Sequence, residues 1–443
     1  MARVFPFQAY RYNPARVKLA EVVTQPYDKI TPAMQERYYA ANPYNLISVE
    51  KGKAHVDDSP ADNVYTRAAR ALEEWIGASV LLRDSPRCVY AYTQKYTALG
   101  ESFVRTRKGL IAVGQIEDYS AGVIFRHEQT LSGPKADRLE LLRHTKTHTG
   151  QLFMLYTDPA RRVDAMLDTF SQAAPTAEAR DDFGVLHQLW AVNDPAVIQS
   201  IQNELADKKL AIADGHHRYE TALAYRDECR ARMGKIDLRV PYERVMITLF
   251  NTAGEGLIVL PTHRVVSRLS GFSFERFRER VAGQFDCKSY AFADSTARAA
   301  AFSKFRGDLE KSKGERPGIG VYAGGNAFHL FTLRADANLE TLLPDVSATQ
   351  RRLDVVLLHR LLLERGLDVT SEAVTGEHNL TYEREMEAAI DAVDNGQAQL
   401  CFLLNSISAD QVARIAFAGE VLPQKSTDFY PKLLSGLTLY RLE

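Results

Sequence analysis

Cysteine is scarce. Cys88, Cys229, Cys287 and Cys401 lie far apart and form no CxxC pair, which argues against a zinc knuckle and against a disulfide framework. Reduced packing cysteines are expected instead. No apolar run approaches the roughly 18 residues needed to span a bilayer. The opening MARVFPFQAYRYNPARV holds no secretory-type apolar core, so a cytoplasmic protein with no membrane partner is expected. Neither sign of charge is in excess: 55 lysines and arginines face 56 aspartates and glutamates, which gives nucleic acid little global attraction. Solenoid repeats, low-complexity blocks and a GxxxxGK(S/T) phosphate loop are all absent from the sequence.

What is present reads as a folded chain throughout, with 45% hydrophobic and 25% charged residues. Its 443 residues point to two or three domains. The expected fold class is mixed α/β, in three segments: an N-terminal α/β region over 1–110, a core over 111–267, and a C-terminal α/β domain over 268–443. Thr31 followed by Pro32 opens a short helix, and Val64, Ala68, Leu72, Trp75 and Ile76 recur at helical spacing within a helix over 62–76. RCVYAYTQKYTA and RKGLIAVGQIEDY read as strands. The order then becomes clearer: strand VLHQLWAVN, a helix capped by Asp194 with Pro195 in its first turn, strand LAIA, a turn, and another helix. In the last segment a helix is expected over 351–365 with Gly366 as a left-handed cap, then a buried strand from Gln399 and a final helix from Ser408 to Gly419.

LAIADGHHRYETALAYRDE, from Leu210 to Glu228, concentrates polar chemistry at the end of a buried strand. Asp214-Gly215 makes the turn, and a helix starts at His216 or His217. The free amides of its first turn, together with the Arg218 fork, suit phosphate oxygens. An Asp-Gly turn beside solvated histidines is the bland alternative, and paired histidines alone are a weak metal signal. Two further clusters add weight. FRHEQTLSGPKADRLELLRHT supplies His127, Glu128, Thr130 and Arg138, and PQKSTDFYPKLLSG supplies Lys425, Ser426, Thr427 and Lys432 in a proline-restrained loop able to hold an anion.

Taken in order, His127-Glu128, DGHHR at Asp214 to Arg218, and GEV with PQKST at Gly419 to Thr427 resemble the free L-serine kinases of the ParB/sulfiredoxin-like fold. The wider chain, including PYD at Pro26 to Asp28 and LPTHR at Leu260 to Arg264, also looks like an uncharacterised bacterial family sharing that fold. The resemblance implies a ParB/sulfiredoxin-like core with an N-terminal extension. It implies Glu128 as the base for the serine hydroxyl, with Arg218 and His216 beside it in catalysis. Asp214, Gly215, His217, Lys425, Ser426, Thr427 and Lys432 would hold the phosphoryl donor, and His127, Thr130 and Arg138 the acceptor. Mg²⁺ is the implied cofactor, with Asp214 and Asp28 as candidate ligands. The donor would be pyrophosphate, ADP or ATP, and the product O-phospho-L-serine.

Such a kit suits phosphoryl transfer, which depends on positioning and charge stabilisation more than on covalent chemistry. The missing Gly-rich loop favours pyrophosphate or a loosely recognised nucleotide. The segment 158–191 is longer than a small core needs and is expected to loop out or add a subdomain. Competing readings are a ParB-like CTP- or ATP-binding, DNA-associated or regulatory module, a sulfiredoxin-like reductase, and a metabolite sensor. Balanced charge argues against the first, and histidines where the reductase needs cysteine argue against the second.

Overall fold

Strands buried on both faces belong in the middle of a covered sheet, and Val89–Tyr96 and most of Arg105–Gln115 are of this kind. They pair antiparallel, with Tyr92 opposite Gly109, and so join sequence on either side of residue 110. The computed structural model describes residues 2–98, 100–128, 133–314, 316–370, 379–423 and 425–442. The chain divides into two units, one of residues 1–258, 416–419 and 429–443, the other of residues 259–415 and 420–428. These units differ from the three expected segments. Strands from residues 1–110 share one sheet with strands from residues 111–258, and the last residues return to the first unit.

The class is mixed α/β. In the first unit a nine-stranded sheet runs in the order Ile124–Arg126, Leu210–Asp214, Leu152–Tyr156, Arg244–Asn251, Arg105–Gln115, Val89–Tyr96, Leu186–Val192 and Ala177–Arg180, with Val4–Phe5 added beside Arg105–Gln115. The stretch 158–191 neither loops out nor stands apart. It forms a helix, Arg162–Phe170, and two strands that extend the sheet antiparallel from Val89–Tyr96. Alternation drives this: Val185, His187 and Leu189 are buried while Leu186 and Gln188 between them are not, and Leu189 lies opposite Tyr92. Leu210–Asp214 is parallel to Ile124–Arg126 and antiparallel to Leu152–Tyr156, and its register shifts between Ile212 and Asp214. Such a bulge re-aims the side chain beyond it.

Capping obeys the sequence. Asn63 closes a capping box on Val64–Gly77, and the Asp194 carboxylate accepts from Ala196 and Val197 amides at the start of Pro195–Leu205. Leu152, Met154, Ile212, Tyr219, Ala222 and Ile247 lie in the main core of this unit.

The second unit holds a six-stranded sheet, in the order Phe285–Ala291, Ala327–Leu333, Gly318–Tyr322, Leu400–Leu403, His263–Val266, Leu380–Glu383, with antiparallel pairs throughout. The helix expected over 351–365 begins at Asp354 and widens to π geometry from Leu358 to Gly366. Gly366 is not a left-handed cap. A Cβ there would come within 2.8 Å of the Phe277 ring, so packing demands the glycine, while Asp368 takes the positive φ of 56°. No helix among the described residues is long and apolar enough to cross a membrane.

Candidate active site

Leu210 to Ala213 are buried, and the bulged strand ends by turning Asp214 toward two cations. Gly215, at φ 96°, carries the chain into the helix His216–Met233. The left-handed angle calls for glycine, and so does space: a Cβ would sit 3.0 Å from Arg218 Nε and from Leu152. No side chain caps this helix, so no capping side chain competes for its first-turn amides. Arg218 folds back over the turn. Its Nη2 donates to Asp214 Oδ2 at 2.7 Å, its Nη1 donates to the Gln151 carbonyl, and Lys432 Nζ donates to Asp214 Oδ1 at 3.0 Å. Burial alone would raise the Asp214 carboxyl, but Lys432 and Arg218, helped by Lys29, hold it well below the ordinary carboxylate range.

Lys432 is itself fixed from below. Arg107 lies buried between the Phe153 and Phe250 rings, 4.7 Å from each, and donates to the Tyr430 carbonyl at 3.0 Å and to the Pro431 carbonyl. Gln94 accepts from Arg107 Nε at 2.9 Å and donates to the Lys432 carbonyl at 2.8 Å. Burial draws the Arg107 guanidinium down to about 10, which still leaves it charged near neutral pH.

A second carboxylate approaches from the N-terminal region. Glu50 closes the short helix Ile47–Glu50 and is only 2% exposed. It accepts from Thr149 Oγ1, and from Ser435 Oγ at 3.4 Å. Arg138 Nη1 donates to the Glu50 carbonyl at 2.7 Å, while its guanidinium stacks on the Tyr27 ring at 4.3 Å. At Gly150 a Cβ would lie 3.1 Å from Ser435 Oγ, 3.2 Å from Arg218 Nη1 and 3.7 Å from Glu50 Oε1, so the bare backbone lets the three groups meet. Glu50, Arg138, Thr149, Gly150, Arg218 and Thr221 help line a cavity of about 50 Å³.

The histidines form a separate layer. His127 lies just beyond Ile124–Arg126, is fully buried, and donates from Nδ1 to the Ile212 carbonyl at 2.6 Å. That bond leaves Nε2 as the acceptor nitrogen, 3.9 Å from Glu128 Oε2. The ring centroid is 4.8 Å from that of His216, whose buried Nε2 has no hydrogen-bond partner among the described residues. Burial pulls His127 down to about 4, and burial together with the His127 neighbour lowers His216 well below its usual value. Both are neutral at physiological pH and donate no cationic charge to an anion.

This neutrality has a pH signature. Because the folded His127 pKa lies below the unfolded value, the unfolded chain takes up its proton first as pH falls from about 6.5, and stability drops with it. His127→Gln keeps an amide able to reach the Ile212 carbonyl but titrates no proton. In urea titrations the wild type should lose about 2 kcal/mol more than this variant between pH 7 and 5. Parallel loss in both would show that His127 is not held neutral.

Residues 4–356 match the family described as "Protein of unknown function (DUF1015)". The chain belongs to that family. The comparison with curated proteins returns no match. Similar solved structures include a conserved hypothetical protein from Pyrococcus furiosus, at 14% identity and TM-score 0.32, covering 70% of this chain and 88% of that one. A free serine kinase in complex with AMP aligns at 12% identity and TM-score 0.32, covering 69% and 83%. C-terminally truncated SbnI from Staphylococcus aureus aligns at 10% identity and TM-score 0.33, covering 73% and 85%. Likeness at that level says nothing of chemistry, which rests on the residues themselves.

In this DUF1015 chain, Asp214, Gly215, Arg218 and Lys432 come together as one charged turn, Arg138 joins Glu50, and His127 lies beside both Glu128 and His216. His217 is next to His216 in the first turn of the same helix. Thr130 lies outside the described residues. Lys425, Ser426 and Thr427 belong to the second unit. There Lys425 has φ 56° and its carbonyl accepts from Arg264 Nη2 at 3.0 Å, while Ser426 Oγ donates to the Pro423 carbonyl at 2.5 Å. Asp214 does not fit a magnesium ligand as it stands, since both its oxygens already accept from cations. Asp28 is 42% exposed and lies 3.9 Å from Lys29 Nζ. Among the described residues no three His, Cys, Asp or Glu side chains gather as a metal cluster. Glu50, Gln94 and Arg107 join this constellation, and the sequence does not announce them. The only signal for Glu50 is a carboxylate closing LISVE, where Leu46, Ile47 and Val49 are apolar.

Proposed function

We propose that this protein is a small-molecule kinase that transfers a phosphoryl group to the hydroxyl of free L-serine. The observation that supports it best is the convergence of Arg218 and Lys432 on Asp214 at an uncapped helix start, in the chain whose DGHHR and PQKST strings resemble the serine kinases. Donor phosphate oxygens would accept from Arg218, from Lys432 and from the first-turn amides. Asp214 keeps the two cations aimed and neutralised until the donor arrives.

Glu128 is the proposed base. It takes the proton from the serine hydroxyl as the oxygen attacks the terminal phosphorus in line, and the phosphorus–oxygen bond to the rest of the donor breaks. The leaving product is phosphate from pyrophosphate, AMP from ADP, or ADP from ATP. His127 and His216, being neutral, serve as a dry wall beside Glu128 rather than as phosphate ligands. Mg²⁺ is proposed to arrive on the donor's phosphates, since a magnesium ion keeps most of its waters and uses few protein carboxylates. Lys425, Ser426 and Thr427 are assigned to the donor on the motif resemblance alone.

The test is ³¹P NMR of the purified chain with Mg²⁺ and L-serine, offered pyrophosphate, ADP and ATP in separate tubes. A phosphoserine resonance with one donor is expected, reduced about 10²- to 10⁴-fold in rate in Glu128→Gln. Folded protein that makes no phosphoserine from any donor would overturn the reading.

A further inference from the structure

A second concentration of positive charge in the first unit lies away from the Asp214 turn. Arg83, Arg87, Arg239, Arg244 and Arg441 line a cleft of about 420 Å³, and Glu73 is the only acidic residue lining it among the described residues. No residue of this cleft lines the Glu50–Arg218 cavity. Two of the five arginines are answered: Arg441 pairs with Glu73 at 2.7 Å and Arg239 with Asp237 at 3.0 Å. For Arg83, Arg87 and Arg244 the structure records no carboxylate within ion-pair distance among the described residues.

Arg244 is the informative member. It emerges at the first residue of the strand Arg244–Asn251, so the sheet fixes its backbone. Its guanidinium rests on the Phe5 ring at 4.0 Å, and its buried Nε makes no hydrogen bond among the described residues. Burial lowers its affinity for the proton, Tyr440 offsets part of this, and the positive charge of Arg87 lowers it again. Folded chains rarely gather unneutralised arginines around a concavity, because each adds repulsion that nothing internal offsets. Phe7 and Tyr440, stacked edge to face at 5.6 Å, form a rigid wall beside them. Volume and lining match a small-molecule site, and the planar fork of arginine matches phosphate oxygens.

We propose that this cleft is a second, separate anion site that binds a small molecule carrying two or more phosphate charges through Arg83, Arg87 and Arg244. Three unanswered guanidiniums call for a multiply charged guest. A concavity of about 420 Å³ suits a compact oligophosphate better than an extended nucleic acid backbone. The cleft also has a mechanical link to the first site. Tyr440 pairs with His148 across a two-stranded ladder and stacks on its ring at an interplanar angle of 6°, and His148 lines the Glu50–Arg218 cavity.

The test is calorimetric titration of the full chain with sodium tripolyphosphate, in wild type, in Arg87→Glu and in Arg244→Gln. Arg87 is exposed, so its variant should fold normally and keeps the experiment readable if Arg244→Gln destabilises the strand. Binding is expected to weaken about 10- to 100-fold in either variant, the range for losing one charge-assisted contact. Lys432→Met should remove only tripolyphosphate held at the Asp214 turn and leave the Arg87-sensitive component of binding unchanged, which separates the cleft from the kinase reading. Tripolyphosphate binding that is untouched by Arg87→Glu, or that is lost only in Lys432→Met, would overturn the proposal. So would a single-stranded oligonucleotide that displaces tripolyphosphate from wild type at far lower concentration.

Discussion

Lys432→Met is expected to lower phosphoserine formation by about 10²- to 10³-fold, the usual loss when one preorganised charge facing a reacting phosphate is removed. The ammonium is 10% exposed and held in place through its own backbone, since Gln94 and Arg107 bind the carbonyls from Tyr430 to Lys432. A charge so fixed needs no reorganisation when the phosphate arrives. Methionine preserves length and packing, and Arg218 still neutralises Asp214, so the melting temperature should fall by only a few degrees. The decisive reading is the split between kcat and KM. A drop in both kcat and kcat/KM with KM nearly constant means Lys432 acts on charge that develops during transfer. Unchanged kcat with a raised KM would make it a docking residue only, and a wild-type profile would remove it from the site.

Whether a feature is legible in the sequence depends on how local its cause is. The strand, turn and helix from Leu210 to Met233 are legible because each signal is local: a buried apolar run, an Asp-Gly turn, then helical spacing. Their polar residues stand out for the same reason. Glu50 and Arg107 do not, because their partners are remote. Thr149 lies 99 positions from Glu50, and Pro431 lies 324 from Arg107. Neither residue type nor spacing announces a guanidinium sandwiched by two phenylalanines from different strands. The segment 158–191 departs from expectation for a related reason. Its strands alternate too briefly to show which sheet they join, and pairing of Leu186–Val192 with Val89–Tyr96 is decided across roughly 90 residues of intervening chain, not within the segment.

Asp214→Asn carries the second large effect, and it separates stability from binding. In the wild type one carboxylate answers two cations. The amide leaves Arg218 and Lys432 without the carboxylate they share, and stability at pH 7 should fall by about 2–3 kcal/mol, somewhat below the range for a fully buried pair. The depressed Asp214 value sets the sign of the pH dependence. Its contribution is fully present above about pH 4, near the unfolded carboxyl value, and is lost as pH falls through the lower folded value. Urea midpoints of wild type and variant should therefore converge in acid, and a gap that stays constant to about pH 3 would show that Asp214 is not the ionised partner. Binding should move the other way. Asp214 competes with any incoming phosphate for the same donors, so inorganic phosphate should bind the variant more tightly while transfer slows, because the two cations are no longer held in register. Weaker phosphate binding in Asp214→Asn would mean that the carboxylate recruits the ligand, through a cation it shares with it, rather than standing in its place.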